Sequence, residues 1–248
     1  MSILDRVNKQ KDAAPAGKKL FGVVAGPRLG GKSTLAATLP GKTLMLQAAV
    51  LESGSKSAEK LAAELGHDLS ILTFNTLAEL DEYIKDLKVD EYFDNVYVDG
   101  LSALTELKYG DPAVVRRMKA NVWDGYKDIG DYAGAVIMEL KALTYPGIAK
   151  NPKNVFITCA LSIKLDKAGG IADVGLETRG NMAVTAITKL GEAVVTVMNV
   201  PGENGVERRL ITQTQEWWPG RIDGVLDDAN PGTLPADLSL VLKLISGE

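Results

Sequence analysis

The sequence holds one cysteine, Cys159, and one histidine, His67. One cysteine closes no internal disulfide, and the pair cannot supply the ligand set of a structural zinc site. Cys159 stands inside the apolar run VFITCAL, which marks it as a small buried residue and fits a reducing compartment. No apolar run approaches the ~18 residues that a membrane helix requires, so no spanning segment and no membrane partner are expected. The first residues, MSILDRVNKQKDAAPAGKK, are charged and lack an apolar signal core, so a cytoplasmic location is expected. Positive charge is not in excess either, with 28 Lys and Arg against 32 Asp and Glu for a net −4. Such a chain has no general attraction for nucleic acid, and any DNA contact must come from local basic patches.

What is present is a large apolar fraction, 46% of 248 residues, enough to bury a sizeable core. Short apolar runs alternate with helical patterns. LFGVVAG, TLMLQ, DLSILTF, NVYVDG and NVFITCAL read as strands, the first ending in glycine. STLAATL, SAEKLAAELG, TLAELDEYIKDLK and LSALTELK read as helices between them. In the third of these, Leu77, Leu80, Ile84 and Leu87 fall at helical spacing. Residues 111–121 and 131–143 are expected to be helical. LDKAGGIADVGLETRG is expected to be a loop, and EAVVTVMNV and RRLITQTQ to form a hairpin through PGENG. The predicted class is α/β, a mainly parallel sheet flanked by helices with a C-terminal antiparallel hairpin. The expected organisation is an N-terminal arm over 1–18, a core over 19–225 and a helical tail over 226–248.

One motif carries chemistry. Gly26-Pro27-Arg28-Leu29-Gly30-Gly31-Lys32-Ser33 matches the P-loop pattern, between a predicted strand and a predicted helix. Glycines let the backbone curl so that successive N–H groups face phosphate oxygens. Lys32 is expected to reach the β- and γ-phosphates, Ser33 to ligate Mg2+, and the next helix, from Thr34 on, to turn its N-terminus to the phosphates. The expected ligands are therefore ATP and Mg2+. Asp99 ends the apolar strand VYV, where its carboxylate suits the outer magnesium shell or, alternatively, caps the next helix. A water-activating carboxylate is not obvious. Asp99 is followed by Gly100, Leu101 and Ser102, and the end of TLMLQ offers Gln47, Ala48 and Ala49, with Glu52 the nearest acid.

These residues resemble the RecA-like core of bacteriophage recombination ATPases, the fourth Sak family of single-strand annealing proteins. The resemblance rests on A-G-P-R-L-G-G-K-S-T-L-A-A-T-L-P, on the strand TLML that follows, and on Asp99-Gly100-Leu101-Ser102-Ala103-Leu104, into which the apolar strand VYV continues. It spans residues 19–225. It implies a RecA-like P-loop ATPase that forms homo-oligomers and acts on single-stranded DNA in recombination or annealing. It also implies that Arg221, after WWPG, approaches a neighbour's nucleotide, with Arg179 and Arg209 as lesser candidates. The family carries an acidic D-x-E where this chain has Gln47-Ala48-Ala49, and a polar sensor where it has Ala160 and Leu161, near Thr158 and Ser162. Slow hydrolysis follows, or an alternative role as a nucleotide-binding scaffold with a degenerate catalytic centre. A small-molecule kinase fits less well, since no arginine-rich lid is present.

Arg116 and Arg117, with Lys119 close by, form a basic cluster, and Lys164 and Lys167 flank the glycine-rich segment; these are the candidate DNA contacts, or else ordinary solvated surface. Trp217 and Trp218 are candidates either for base stacking or for packing the hairpin. His67 follows a helix end, where it favours the helix dipole.

Overall fold

A computed structural model describes residues 19–49, 55–178, 181–202, 205–215, 218–225 and 229–247. Its centre is a sheet in which β1 (Phe21–Gly26), β2 (Lys42–Ala48), β3 (Asp68–Phe74), β4 (Asn95–Asp99), β5 (Asn154–Leu165) and β7 (Ala193–Gly202) run parallel in the order β7-β1-β5-β4-β2-β3. β1 and β4 are buried along their whole length, which explains why they read as unbroken apolar runs rather than alternating ones. β8 (Gly205–Ile211) pairs antiparallel with β7, β10 (Thr233–Pro235) with β8, and the short β9 (Arg221–Ile222) also with β7.

Helices cover both faces. One face carries α2 (Leu77–Val89), α3 (Leu101–Tyr109), α5 (Val122–Ala142) and α6 (Asn181–Leu190), through Leu80, Ile84, Leu104, Ile137, Leu140 and Ile187. The other carries a 3-10 helix (Ser33–Thr38), α1 (Ser55–Leu65) and α7 (Leu238–Ser246), through Leu35, Leu39, Ala58, Leu238 and Val241. α4 (Pro112–Ala120) packs outside α5. The mainly parallel α/β architecture and the antiparallel C-terminal hairpin thus agree with the expectation. Among the described residues no helix is long and apolar enough to cross a membrane.

Three local expectations need correction. The segment after the P-loop is a 3-10 helix of six residues, not an α-helix. Thr34 and Thr38 turn their hydroxyls back on the Gly31 and Leu35 carbonyls, at 2.6 and 2.8 Å, and Pro40 blocks continuation. The glycine-rich segment is not a loop throughout: β5 continues to Leu165 and turns back as β6 (Ile171–Glu177). Asp166 builds the turn by accepting from the Ala168 and Gly170 amides, and Gly169 takes a φ of 86° that only glycine adopts freely. α5 begins at Val122, nine residues before the start predicted for it. Gly125 resembles a helix breaker, yet a Cβ there would lie 2.1 Å from Met118 Cγ, so the glycine permits close approach of α4. Asn121 caps the new start by accepting from the Trp123 amide.

The expected arm over 1–18 lies outside the described residues. The segment beyond 225 adds β10 to the sheet and α7 to one face, with Leu238 N–H donating to Thr38 Oγ1 at 2.9 Å.

Candidate nucleotide-binding site

β1 lies between β5 and β7, and both neighbours run on past its carboxyl end. Gly26 is level with Ala160, which pairs with Glu177 of β6. Ala25 is level with Thr196, three residues before Asn199, which pairs with Arg208 of β8. The P-loop therefore emerges between two antiparallel ribbons, β5–β6 and β7–β8. A cleft of about 680 Å3 opens there, lined by Arg28 to Thr34 with Ser57, Asp99, Ser102, Glu106, Thr158 and Arg208 among others. It lies at the carboxyl ends of parallel strands, where α/β sheets place their ligands.

The loop itself is shaped to receive an anion. Leu29 and Gly31 both occupy the left-handed region, with φ of 62° and 86°. Left-handed residues set among right-handed ones turn neighbouring N–H groups towards one side, which makes an anion nest. Leu29 is fully exposed and gains no burial from its conformation, which costs about 1–2 kcal/mol for a residue with a Cβ. Strain of this kind collects at functional sites. Lys32 Nζ donates across the loop to the Gly26 and Pro27 carbonyls at 3.1 and 2.8 Å. From below, the buried Tyr97 hydroxyl donates to the Lys32 carbonyl at 2.5 Å. Burial, with the neighbouring Asp99 carboxylate, holds that phenol well above its ordinary pKa, so it remains a donor. At the rim, Arg28 pairs with Glu177 at 3.0 Å. Because the following helix is a short 3-10 turn, the loop faces the cleft with its amides and side chains but without a long helix dipole behind them.

A polar row crosses the sheet beside the loop. Strand side chains alternate, and Met45, Tyr97 and Phe156 face the side of the 3-10 helix while Leu46, Val98 and Ile157 face the other. Two residues further on, Gln47, Asp99 and Thr158 stand on the P-loop side of adjacent strands, with Gln47 in register with Asp99. Asp99 is 2% exposed, and its Oδ1 accepts from Thr158 Oγ1 at 2.8 Å. Asp99 Oδ2 and Gln47 Nε2 are buried and have no hydrogen-bond partner among the described residues. An orphaned buried polar atom costs about 1–3 kcal/mol, which is tolerated where a ligand completes the site. The peptide between Asp99 and Gly100 is cis. Ser33 and Asp99 on one cleft offer the hydroxyl and carboxylate that a phosphate-bound magnesium ion takes from protein. Among the described residues, no three His, Cys, Asp or Glu gather into an all-protein metal cage.

The other expected residues are scattered. Glu52 and Arg179, and Trp217 as well, lie outside the described residues. Arg221 is not at the cleft: it sits on β9 beside the amino end of β7. It donates to the Thr188 and Gly191 carbonyls at 3.0 and 2.6 Å and pairs with Asp223. Arg209 pairs with Glu207. Arg116 and Arg117 are exposed on α4, the latter paired with Asp128, while Lys164 pairs with Asp173 on the β5–β6 ribbon and Lys167 is exposed in its turn. Trp218 is half-buried, its amide donating to the Gln215 carbonyl. His67 Nδ1 meets the Ala37 carbonyl at 2.8 Å, which ties α1 to the 3-10 helix. Cys159, next to Thr158, faces the opposite core, and burial pushes its thiol up to about 12.

Sequence reasoning missed three residues of the cleft, of which Ser57 stands in the first turn of α1. Glu106 lies one turn beyond Ser102 on α3, and that i, i+4 spacing was its only signal. Arg208 reaches in from β8, and its Nη1 donates to Thr34 Oγ1 at 3.1 Å. No family model and no curated protein matches the chain.

Proposed function

We propose that the protein binds ATP with Mg2+ in the cleft between the two ribbons, as a RecA-like P-loop domain that assembles with copies of itself on single-stranded DNA. The observation that carries this reading is the conjunction of a left-handed, cation-bearing glycine loop with a buried acid whose outer oxygen lacks a partner. The loop amides and Lys32 hold the phosphates. Ser33 and Asp99 hold the magnesium ion, which neutralises phosphate charge when bound. Thr158 fixes the Asp99 carboxylate through its hydrogen bond. The basic residues Arg116, Arg117, Lys164 and Lys167 are the proposed phosphate contacts for the DNA strand, a recombination or annealing role of the kind carried by phage systems.

Hydrolysis is proposed to be slow. An attacking water needs a positioned base. Ala49, at the end of β2, has no functional group, and Glu106 is the one carboxylate besides Asp99 among the lining residues. The neutral Gln47-Ala48-Ala49 stretch favours a second reading, in which ATP serves assembly and the protein is a nucleotide-bound scaffold. Gel filtration with and without Mg·ATP and a labelled oligonucleotide, across a salt series, separates the two. ATP-dependent assembly that carries the oligonucleotide at low salt and releases it at high salt supports the DNA role. Assembly that never carries the oligonucleotide supports the scaffold. A protein indifferent to nucleotide contradicts both.

A further inference from the structure

The P-loop pattern does not include Arg208, yet the fold brings that residue to the loop from 174 positions away. β8 follows β7 in register, Asn199 opposite Arg208. Since β7 lies beside β1 and Asn199 stands three residues past the level of Ala25, the guanidinium arrives at the height of the loop. There it lies against Gly31, so close that a Cβ on that glycine would fall 2.3 Å from Cζ, and it donates to Thr34 Oγ1. Arg209, one residue on, turns the other way and is taken up by Glu207. Arg208 lines the cleft, and among the described residues its one hydrogen bond goes to a neutral hydroxyl, which leaves the rest of its five-donor fork for another acceptor.

We propose that Arg208 is a phosphate clamp acting within its own subunit, closing on the α- and β-phosphates of a nucleotide held over Gly31 to Thr34. This rests on the nucleotide reading of the cleft. The assignment to the inner phosphates follows from position. Lys32 serves the β- and γ-phosphates and Ser33 the magnesium ion, whereas Arg208 sits over Gly31 and Thr34, where loop amides cradle the α- and β-phosphates. An arginine there forms paired charge-assisted hydrogen bonds with phosphate oxygens that a lysine cannot reproduce. It also ties the β7–β8 ribbon to nucleotide occupancy, since the same side chain that now holds Thr34 would hold the ligand.

The test is titration calorimetry of Mg·ADP and Mg·β,γ-imido-ATP into the full chain and into Arg208→Ala, Arg208→Gln and Arg208→Lys. Thermal unfolding of each protein is followed with and without nucleotide. The clamp predicts that Ala and Gln weaken both nucleotides by a similar factor, roughly 10- to 100-fold, with Lys recovering part of the loss. Unfolding temperatures without nucleotide should stay alike, while the nucleotide-induced rise shrinks in the variants. Unchanged affinity in Arg208→Gln overturns the clamp. So does a loss confined to the imido-ATP, which places the arginine on the terminal phosphate, and so does an equal fall of stability without nucleotide in all three variants. If the unaltered chain binds neither nucleotide, the reading of the cleft fails with it; if it binds both and the variants bind equally, only the clamp fails.

Discussion

Thr158→Val tests how the buried acid is held. The substitution removes the hydroxyl that donates to Asp99 Oδ1 at 2.8 Å and leaves both carboxylate oxygens without a partner, since Oδ2 already has none. A hydrogen bond to a charged group contributes about 1.5–3 kcal/mol, and removing one side of a buried pair exposes the full desolvation penalty of the other. The pair is buried in the wall of the cleft, with Thr158 1% and Asp99 2% exposed, so little solvent reaches the carboxylate to replace the hydroxyl. Urea unfolding of the nucleotide-free protein should therefore show a loss of about 2 kcal/mol with an unchanged dependence on denaturant. In thermal unfolding this corresponds to a fall of about 4–8 °C for a chain of this size. Thr158→Ser should recover most of it. The carboxylate, no longer oriented, should also couple less strongly to magnesium, so that Mg2+ strengthens nucleotide binding less than in the parent. A Thr158→Val protein within about 0.5 kcal/mol of the parent, with undiminished magnesium dependence, refutes the argument.

Lys153 is 0% exposed and binds Asp90 Oδ2, the Asp90 carbonyl and the Asn151 carbonyl at 3.1, 3.0 and 2.9 Å. Lys153→Met strands these acceptors and should cost about 3–5 kcal/mol in urea unfolding. Burial alone would raise the Asp90 carboxyl, but the Phe93 and Tyr92 amides and Lys153 outweigh it and hold its pKa below the ordinary value. The resulting stabilisation is present above the unfolded carboxyl's pKa and is lost as pH falls through the lowered folded value; Asp90→Asn should flatten that acid limb. The Cys159 thiol, pushed up by burial to about 12, should resist a thiol reagent at pH 8 in the folded protein and react after unfolding. Ala49→Glu should raise ATP turnover by about 10²–10⁴-fold with little change in nucleotide affinity, and equal turnover in both proteins would contradict the missing-base account. Residual turnover that disappears in Glu106→Gln would assign the base to α3 instead.

The contiguous parts of the site were legible in sequence. The P-loop needs its glycines, lysine and serine on one short stretch, and Asp99 announces itself by ending an apolar strand. What was not legible depends on which strands become neighbours. Arg208 and Arg209 are adjacent in sequence and chemically identical, yet the two-residue period of β8 sends one to the loop and the other to Glu207. Register decides that, and register is set by pairing with β7 some ten residues away. Glycine content misled in one segment: Gly169 and Gly170 shape a tight turn between paired strands rather than a loop throughout, whereas Gly125 lies inside α5, where Met118 packs against it. The 3-10 turn after Ser33 was hidden for a related reason: its threonines compete for the backbone carbonyls, a local contest that apolar periodicity does not register.

The central claim is that this cleft holds the phosphates of ATP, and Lys32 gives the most direct measurement. Calorimetric titration of Mg·β,γ-imido-ATP into the parent and into Lys32→Ala compares the site with and without its central cation. Lys32 Nζ now donates to two loop carbonyls, so nucleotide-free unfolding of both proteins serves as the control for the loop itself. The account predicts magnesium-dependent binding by the parent and a loss of at least about 1.5–3 kcal/mol in Lys32→Ala, tenfold or more in affinity. Equal affinity in the two proteins, or no binding by a folded parent, contradicts it.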